Sequence, residues 1–329
     1  MLKAIVTDML KPVAPEEAIL RQNGVSLVYG DCKTEIELVE LTQDADAIID
    51  VYARLSAKVI NSLKRCQVIV RRGIGYDSID IKAATAKGIP VANVRDYCID
   101  EVADHTITLL LCATRKVIKP REQVKSGGWD FKQFLPILSL GECTLGLVGF
   151  GKIPRAVARR AQCFDLKVET SDPFISDELA AEHGVKRVSL EKLLSTSDFV
   201  SVHVPLNDET RGMFTRREFA MMKPSAVFIN TSRGPVVDEV ALAEALHNGK
   251  IAFAALDVMT REPPTSDNPL RLMHNVIITP HLAWYSERSA KVVGEEAAQQ
   301  IVQVFKGYFP KFLVNLEVSK LRTDLKWSD

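Results

Sequence analysis

The stretch Thr144-Leu145-Gly146-Leu147-Val148-Gly149-Phe150-Gly151-Lys152-Ile153-Pro154 decides how the chain is read. A short apolar run enters a turn with two glycines, and a helix-forming stretch follows from Ile153 to Gln162. Gly149 suits the tight turn, and Gly151 lets the backbone approach a pyrophosphate with no Cβ in the way. The helix behind them points unsatisfied N–H groups at such an anion. Asp172 lies twenty-one residues past Gly151, near the end of the next apolar run. A carboxylate there accepts both ribose hydroxyls of NAD and repels a 2′-phosphate, and residues 170–174 carry no basic group to reverse that choice. Glycines also make ordinary turns; the strand before, the helix after and Asp172 favour a nucleotide. Pro154 stands where the fingerprint usually has Gly or Ala, in the first helical turn, where a missing N–H costs no intrahelical bond. The expected cofactor is NAD, with Phe150, Gly151, Lys152, Ile153 and Asp172 around it.

Outward from this turn the alternation continues. Downstream, apolar runs at 167–170, 186–188, 199–204, 226–230, 252–256 and 276–278 are separated by helical stretches 176–183, 190–195, 215–221 and 238–248. Upstream, runs at 2–7, 25–29, 47–51 and 68–70, and one containing Val91, alternate with helices 14–23, 34–42, 56–64 and 79–87. Such series predict parallel sheets covered by helices. The expected fold class is α/β: two doubly wound, Rossmann-like parallel-sheet domains with a cleft between them. Residues 1–100 with 291–329 form a substrate-binding domain, and residues 101–290 the NAD-binding domain. A helical pattern from Asp100 to Val117, apolar on more than one face, and a helix over 286–306 carry the chain between them. The polar stretch Lys119–Lys132, with Gly127-Gly128-Trp129, reads as an arm toward another subunit.

Composition narrows the classes. The 329 residues are 47% apolar, enough for a core in each domain, with 42 basic and 42 acidic side chains. A net charge of zero leaves no footprint for nucleic acid. The pairs Arg71-Arg72, Arg159-Arg160 and Arg216-Arg217 read as surface or helix charge. Six scattered cysteines without a CxxC pair point to reduced thiols, a cytoplasmic protein and no metal site. The N-terminus lacks a signal-peptide layout, and no apolar stretch approaches the roughly 20 residues that span a bilayer, so no membrane association is expected.

Three further segments end apolar runs on one side of the predicted sheet: Asn230-Thr231-Ser232-Arg233-Gly234, Asp257 to Glu262-Pro263-Pro264, and Thr279-Pro280-His281-Leu282-Ala283-Trp284. Open α/β sheets bind ligands beyond the carboxyl ends of their strands. Hydride exchange at a carbon bearing oxygen needs a group that gives or takes the oxygen's proton, and histidine titrates in the right range. Glu262 against the second ring nitrogen fixes the tautomer of His281. Arg233 offers a planar fork for a substrate carboxylate. Alone, His281 equally suits a helix cap and Arg233 a surface ion pair. Behind a nucleotide motif, the three together read as a catalytic set for a small 2-oxo or 2-hydroxy acid, with Trp284 shaping the pocket.

These motifs resemble the D-isomer-specific 2-hydroxyacid dehydrogenase family, over nearly the whole chain. The resemblance implies NAD(H), a homodimer formed mainly through the nucleotide domain, and a flavodoxin-like substrate domain built from both chain ends. It places the family's arginine, glutamate and histidine on Arg233, Glu262 and His281. It assigns backbone N–H groups of Gly73, Ile74 and Gly75 to the substrate carboxylate, as an anion nest, and puts Tyr52 and Arg54 near the substrate's distal end. Thr106, His203, Val204, Pro205, Thr210, Thr231, Ser232 and Asp257, with Arg233 and His281, fall at positions around the cofactor. Arg95-Asp96-Tyr97-Cys98 after Asn93-Val94, and the run 281–287, resemble the C-terminal-binding corepressor branch more than standard phosphoglycerate dehydrogenase. The expected activity is NAD-dependent interconversion of a small 2-oxo acid and its D-2-hydroxy acid. The alternative is an NAD(H)-sensing, corepressor-like interaction protein.

Overall fold

Thr34, Ser56 and Asp80 each end an extended stretch by accepting a hydrogen bond from the backbone N–H three residues on, at Glu37, Val59 and Ala83. A side-chain oxygen in that place satisfies one of the open donors of a helical first turn, which sets where the helices begin. In the computed structural model, which describes residues 2–9 and 15–328, the elements then follow in order. They are β1 (Leu2–Val6), α1 (Pro15–Gln22), β2 (Val25–Tyr29), α2 (Glu35–Thr42), β3 (Ala47–Asp50), α3 (Ala57–Ser62), β4 (Val68–Arg71), α4 (Ile81–Ala86) and β5 (Val91–Asn93). The strands form a parallel sheet of order β2-β1-β3-β4-β5 around Ile5, Ile48, Ile60 and Ile69. Ala14, the expected start of the first helix, lies outside the described residues.

The chain continues through α5 (Ile99–Arg115), α6 (Ile118–Lys125), β6 (Thr144–Val148), α7 (Lys152–Gln162), β7 (Lys167–Ser171), α8 (Asp177–Glu182), β8 (Lys186–Arg187), α9 (Leu190–Thr196) and β9 (Phe199–Val202). There follow α10 (Arg216–Met221), β10 (Val227–Asn230), α11 (Glu239–His247), β11 (Phe253–Leu256), β12 (Val276–Ile278) and α12 (Glu287–Phe305). The second sheet is parallel, of order β12-β11-β10-β9-β6-β7-β8. Its order reverses between β6 and β9, the switch point where open sheets bind ligands. Both faces are buried: Leu145, Leu147, Val227 and Ile229 point to the layer of α5 and α7, while Val148 and Phe228 point to the other layer. There Phe214, Phe219 and Phe228 meet with ring centroids 5.0–6.0 Å apart. Two units result, Met1–Tyr97 with Ser286–Asp329 and Cys98–Tyr285, and each is an α/β layer structure of the expected class.

Two expectations need correction. Arg71 and Arg72 are not surface charges: they are only 9% and 8% exposed. Arg71 ends β4 within 3.8 Å of the buried Asp50, and Arg72 donates to Glu16 at 3.0 Å and to the Ala290 carbonyl at 3.3 Å. Partners drawn from distant segments make that burial tolerable. The start of the polar arm is also a helix, α6, none of whose residues is buried. Its sequence therefore has no apolar stripe to announce it. No helix among the described residues is long and apolar enough to cross a membrane.

Candidate active site

The glycine turn after β6 is built for close approach. Gly149 has φ +91°, and a Cβ there would stand 2.8 Å from the carbonyl oxygen of His203. At Gly151 an added Cβ would meet no atom within 4 Å, so packing does not demand the glycine. The space above it is a cradle open to a phosphate, at the cap of α7. Pro154 is buried in the first turn of α7, and the first intrahelical bond, from Arg155 N–H to Gly151 O, lies one residue beyond it. Phe150 is fully buried, its ring edge-on to His183 and under Arg155, and its N–H donates to Asp172 Oδ2 at 2.8 Å. Lys152 is exposed and Ile153 half-buried.

Asp172 follows β7 directly, and its Oδ1 accepts from Phe174 N–H at 2.8 Å. Both carboxylate oxygens are thus oriented by the backbone and keep lone pairs for ribose hydroxyls. A basic group does come close, from the neighbouring strand. Arg187 donates to the Asp172 carbonyl and to Asp177, each at 3.1 Å.

The loops flanking the turn are tied internally. His203 bonds Ser201 Oγ at 2.9 Å, and burial drives its pKa down to about 3, so the ring is neutral. Val204 is half-buried and Pro205 exposed. The Thr210 hydroxyl donates to Pro205 O at 2.6 Å, which closes this loop on itself. Thr106 donates to Val102 O, so its 3.0 Å contact with Thr231 is one in which Thr231 donates.

Because β10, β11 and β12 are parallel neighbours, their carboxyl ends bring the Arg233, Glu262 and His281 segments together. Asn230, 1% exposed, accepts from Ser232 N–H and Oγ and donates to Arg233 O, which fixes the arginine's loop. Arg233 Nη1 bonds Ser232 O at 2.8 Å. A Cβ on Gly234 would lie 2.0 Å from Met259 C, so only glycine lets this loop pack on the one that leads to Glu262. Glu262 Oε1 accepts from Met259 N–H at 2.9 Å, and Oε2 meets His281 Nδ1 at 2.6 Å. Burial works to raise the Glu262 carboxyl, but the His281 bond and charge, the Met259 N–H and the Arg233 charge together hold it below its usual range. The Glu262 contact at Nδ1 sets the orientation of the His281 ring. Trp284 is half-buried, its ring edge-on to Tyr285 at 5.5 Å.

In the first unit, Gly73 takes φ +158° and gives its N–H to Arg71 O at 2.8 Å, which leaves the expected nest two amides, those of Ile74 and Gly75. The Ile74 carbonyl is held by Asn93 Nδ2 at 2.7 Å. The Arg71 guanidinium carbon lies over the ring of the exposed Tyr52, 5.7 Å from its centroid, and Arg54 is exposed. Among the described residues no cluster of metal-ligating side chains occurs. Asn230 and Thr279, which orient the site, are polar residues within quoted motifs. Asn230 bonds within its own motif, whereas Thr279 bonds His105 and Asp257, partners the spacing does not reveal.

A glycine turn with an acid after the next strand, on the same sheet as an arginine and a Glu–His pair, has the layout of a Rossmann-like dinucleotide-binding domain. Comparison with known proteins makes this specific. Residues 107–283 match the model of the D-isomer specific 2-hydroxyacid dehydrogenase NAD binding domain. A D-3-phosphoglycerate dehydrogenase of Archaeoglobus fulgidus is 39% identical over 96% of the chain, which spans only 59% of that relative's length. A glyoxylate reductase of Korarchaeum cryptofilum is 38% identical over 87% of both proteins. The crystal structure of a D-lactate dehydrogenase from Aquifex aeolicus, complexed with NAD and lactic acid, superposes with a TM-score of 0.85 at 28% identity, over 97% of each chain. The chain belongs to the D-isomer specific 2-hydroxyacid dehydrogenase family, and NAD is its cofactor. The corepressor-like leaning read from residues 93–98 and 281–287 gains no support, because these relatives are named as dehydrogenases and reductases. Those segments are local, whereas the likeness to the enzymes runs along most of the chain.

Proposed function

We propose that the chain reversibly reduces a small 2-oxo acid to its D-2-hydroxy acid, with His281 as the acid–base group. The observation that carries this is the 2.6 Å contact between His281 Nδ1 and Glu262, whose carboxyl is held in its charged form. NAD(H), when bound, supplies or accepts the hydride. In reduction, Arg233 holds the acid's carboxylate with its guanidinium fork. His281 gives the Nε2 proton to the carbonyl oxygen, and the imidazolium before transfer is stabilised by Glu262. In oxidation the same nitrogen takes the hydroxyl proton. Gly151 and the first turn of α7 receive the pyrophosphate, and Asp172 the ribose. In the first unit the reading assigns the Ile74 and Gly75 amides to an acid carboxylate, and Tyr52 and Arg54 to a substrate side chain. Trp284 favours a compact or apolar one.

The reading includes a homodimer through the second unit, whose arm leaves Trp129 89% and Phe131 70% exposed. A cavity of about 420 Å³ lined by Cys112, Phe134, Pro136, Phe253 and Val276 adjoins that arm. Sedimentation equilibrium reads this part, two chain masses against one.

The test of the activity follows NADH absorbance with glyoxylate, pyruvate, hydroxypyruvate and phenylpyruvate, using wild type and His281→Ala. Turnover of at least one acid, reduced by about 100-fold or more in the variant, is expected. Full activity in the variant contradicts the assignment of His281.

A further inference from the structure

His281 sits at φ +52°, a region in which a side chain is held only when its surroundings fix it. One carboxylate does most of the fixing. Asp257, 1% exposed, accepts from the N–H groups of Leu282 at 3.0 Å and Ala283 at 2.9 Å, the residues just after His281. It also accepts from the hydroxyl of Thr279 at 2.5 Å, two residues before. The Asp257 carbonyl takes the His281 N–H at 2.9 Å. The histidine's backbone is thus clipped on both flanks to one residue of the next strand end.

The clip has its own support. Thr279 has a single hydroxyl proton, and that proton goes to Asp257. Its oxygen can therefore only accept from His105, whose Nε2 lies 3.0 Å away on α5. His105 must then be the Nε2–H tautomer. Burial lowers its pKa, against the pull of Asp257, the charge that acts on it from 3.5 Å, so the ring is a neutral donor.

We propose that His105 and Thr279 are positioning residues for His281. The ordered chain from His105 to Thr279 to Asp257 locks the carboxylate that holds the His281 backbone, and so keeps Nδ1 on Glu262. The proposal rests on the reading of His281 as the acid–base group.

Its test uses the full chain with Thr279→Val, Thr279→Ser, His105→Phe and the double variant His105→Phe/Thr279→Val. The readouts are kcat and KM with NADH and the best 2-oxo acid, thermal midpoints, and NMR titration of ¹³C-labelled His281, identified by its loss in His281→Gln. Thr279→Val is expected to lower kcat by about 10- to 100-fold, with KM within about 3-fold, while Thr279→Ser stays within about 3-fold of wild type. The double variant loses no more than Thr279→Val alone, because both changes break one chain. His281 gives up its proton at lower pH in Thr279→Val, since its carboxylate partner is less well aligned. An unchanged His281 titration in Thr279→Val overturns the proposal, as does a loss of kcat that follows a fallen thermal midpoint and is equal in Thr279→Ser. If the wild type turns over no 2-oxo acid, the activity reading fails, and the titration alone decides whether the chain positions His281.

Discussion

At the scale of single residues, the arrangement is governed by where buried charge is tolerated. Asp50, fully buried at the end of β3, has its carboxyl pushed by burial from 3.8 to about 7, against the charge of Arg71 and a hydrogen bond from Ser78. An acid with a raised folded pKa binds a proton preferentially in the fold. Its stabilising contribution is full below about pH 4 and is lost as pH rises through about 7. Asp50→Asn, which cannot ionise, is expected to gain unfolding free energy relative to wild type between pH 4 and pH 7, on the order of a few kcal/mol, and to keep that gap above it. Guanidinium chloride unfolding of both proteins at about pH 4 and about pH 8 checks this, and an equal gap at both pH values contradicts it. Glu262 has the opposite sign: its lowered pKa favours the fold with the carboxylate ionised, and that support is lost as pH falls through the folded value. Arg233, Glu262 and His281 were legible because residues with few structural uses followed three strand signals. Thr279 and His105 were not, because their meaning lies in a pair 174 positions apart that no local pattern connects.

At the scale of elements, strand and helix positions were legible where packing writes a period into the sequence. β6 and β10 bury alternate side chains on opposite faces, so they read as short unbroken apolar runs. Polar caps at Thr34, Ser56 and Asp80 mark where helices start. α6 was read only as a polar arm because a helix with no buried residue carries no such period. The parallel order β12-β11-β10 explains why loops far apart in sequence share one rim of the sheet, and Gly234 is where two of them touch. Gly234→Ala puts a methyl group 2.0 Å from Met259 C, against backbone that cannot swing aside. We expect a loss of stability of about 2–4 kcal/mol and a fall in kcat, because displacing this loop moves Arg233 relative to Glu262. Calorimetry and kinetics of the variant check both, and a wild-type melting temperature sinks the packing argument.

At the scale of the whole molecule, the chain divides into two units, each built on its own parallel sheet, and the cysteines are free thiols. The family was legible because its motifs sit on turns that the fold requires. The branch was less so, since a few residues near 95 and 285 weighed more in the sequence than the likeness spread over the rest of the chain. On the proposed reading, the reaction turns on one proton held by His281. The most direct measurement is kcat in both directions, from about pH 5 to about pH 10, with NADH and the best 2-oxo acid and then with NAD and the matching hydroxy acid. The account predicts opposite limbs: reduction fails as pH rises and His281 loses its proton, oxidation fails as pH falls and it gains one, and both limbs vanish in His281→Ala. Limbs that run the same way in both directions, or that persist in the variant, would contradict it.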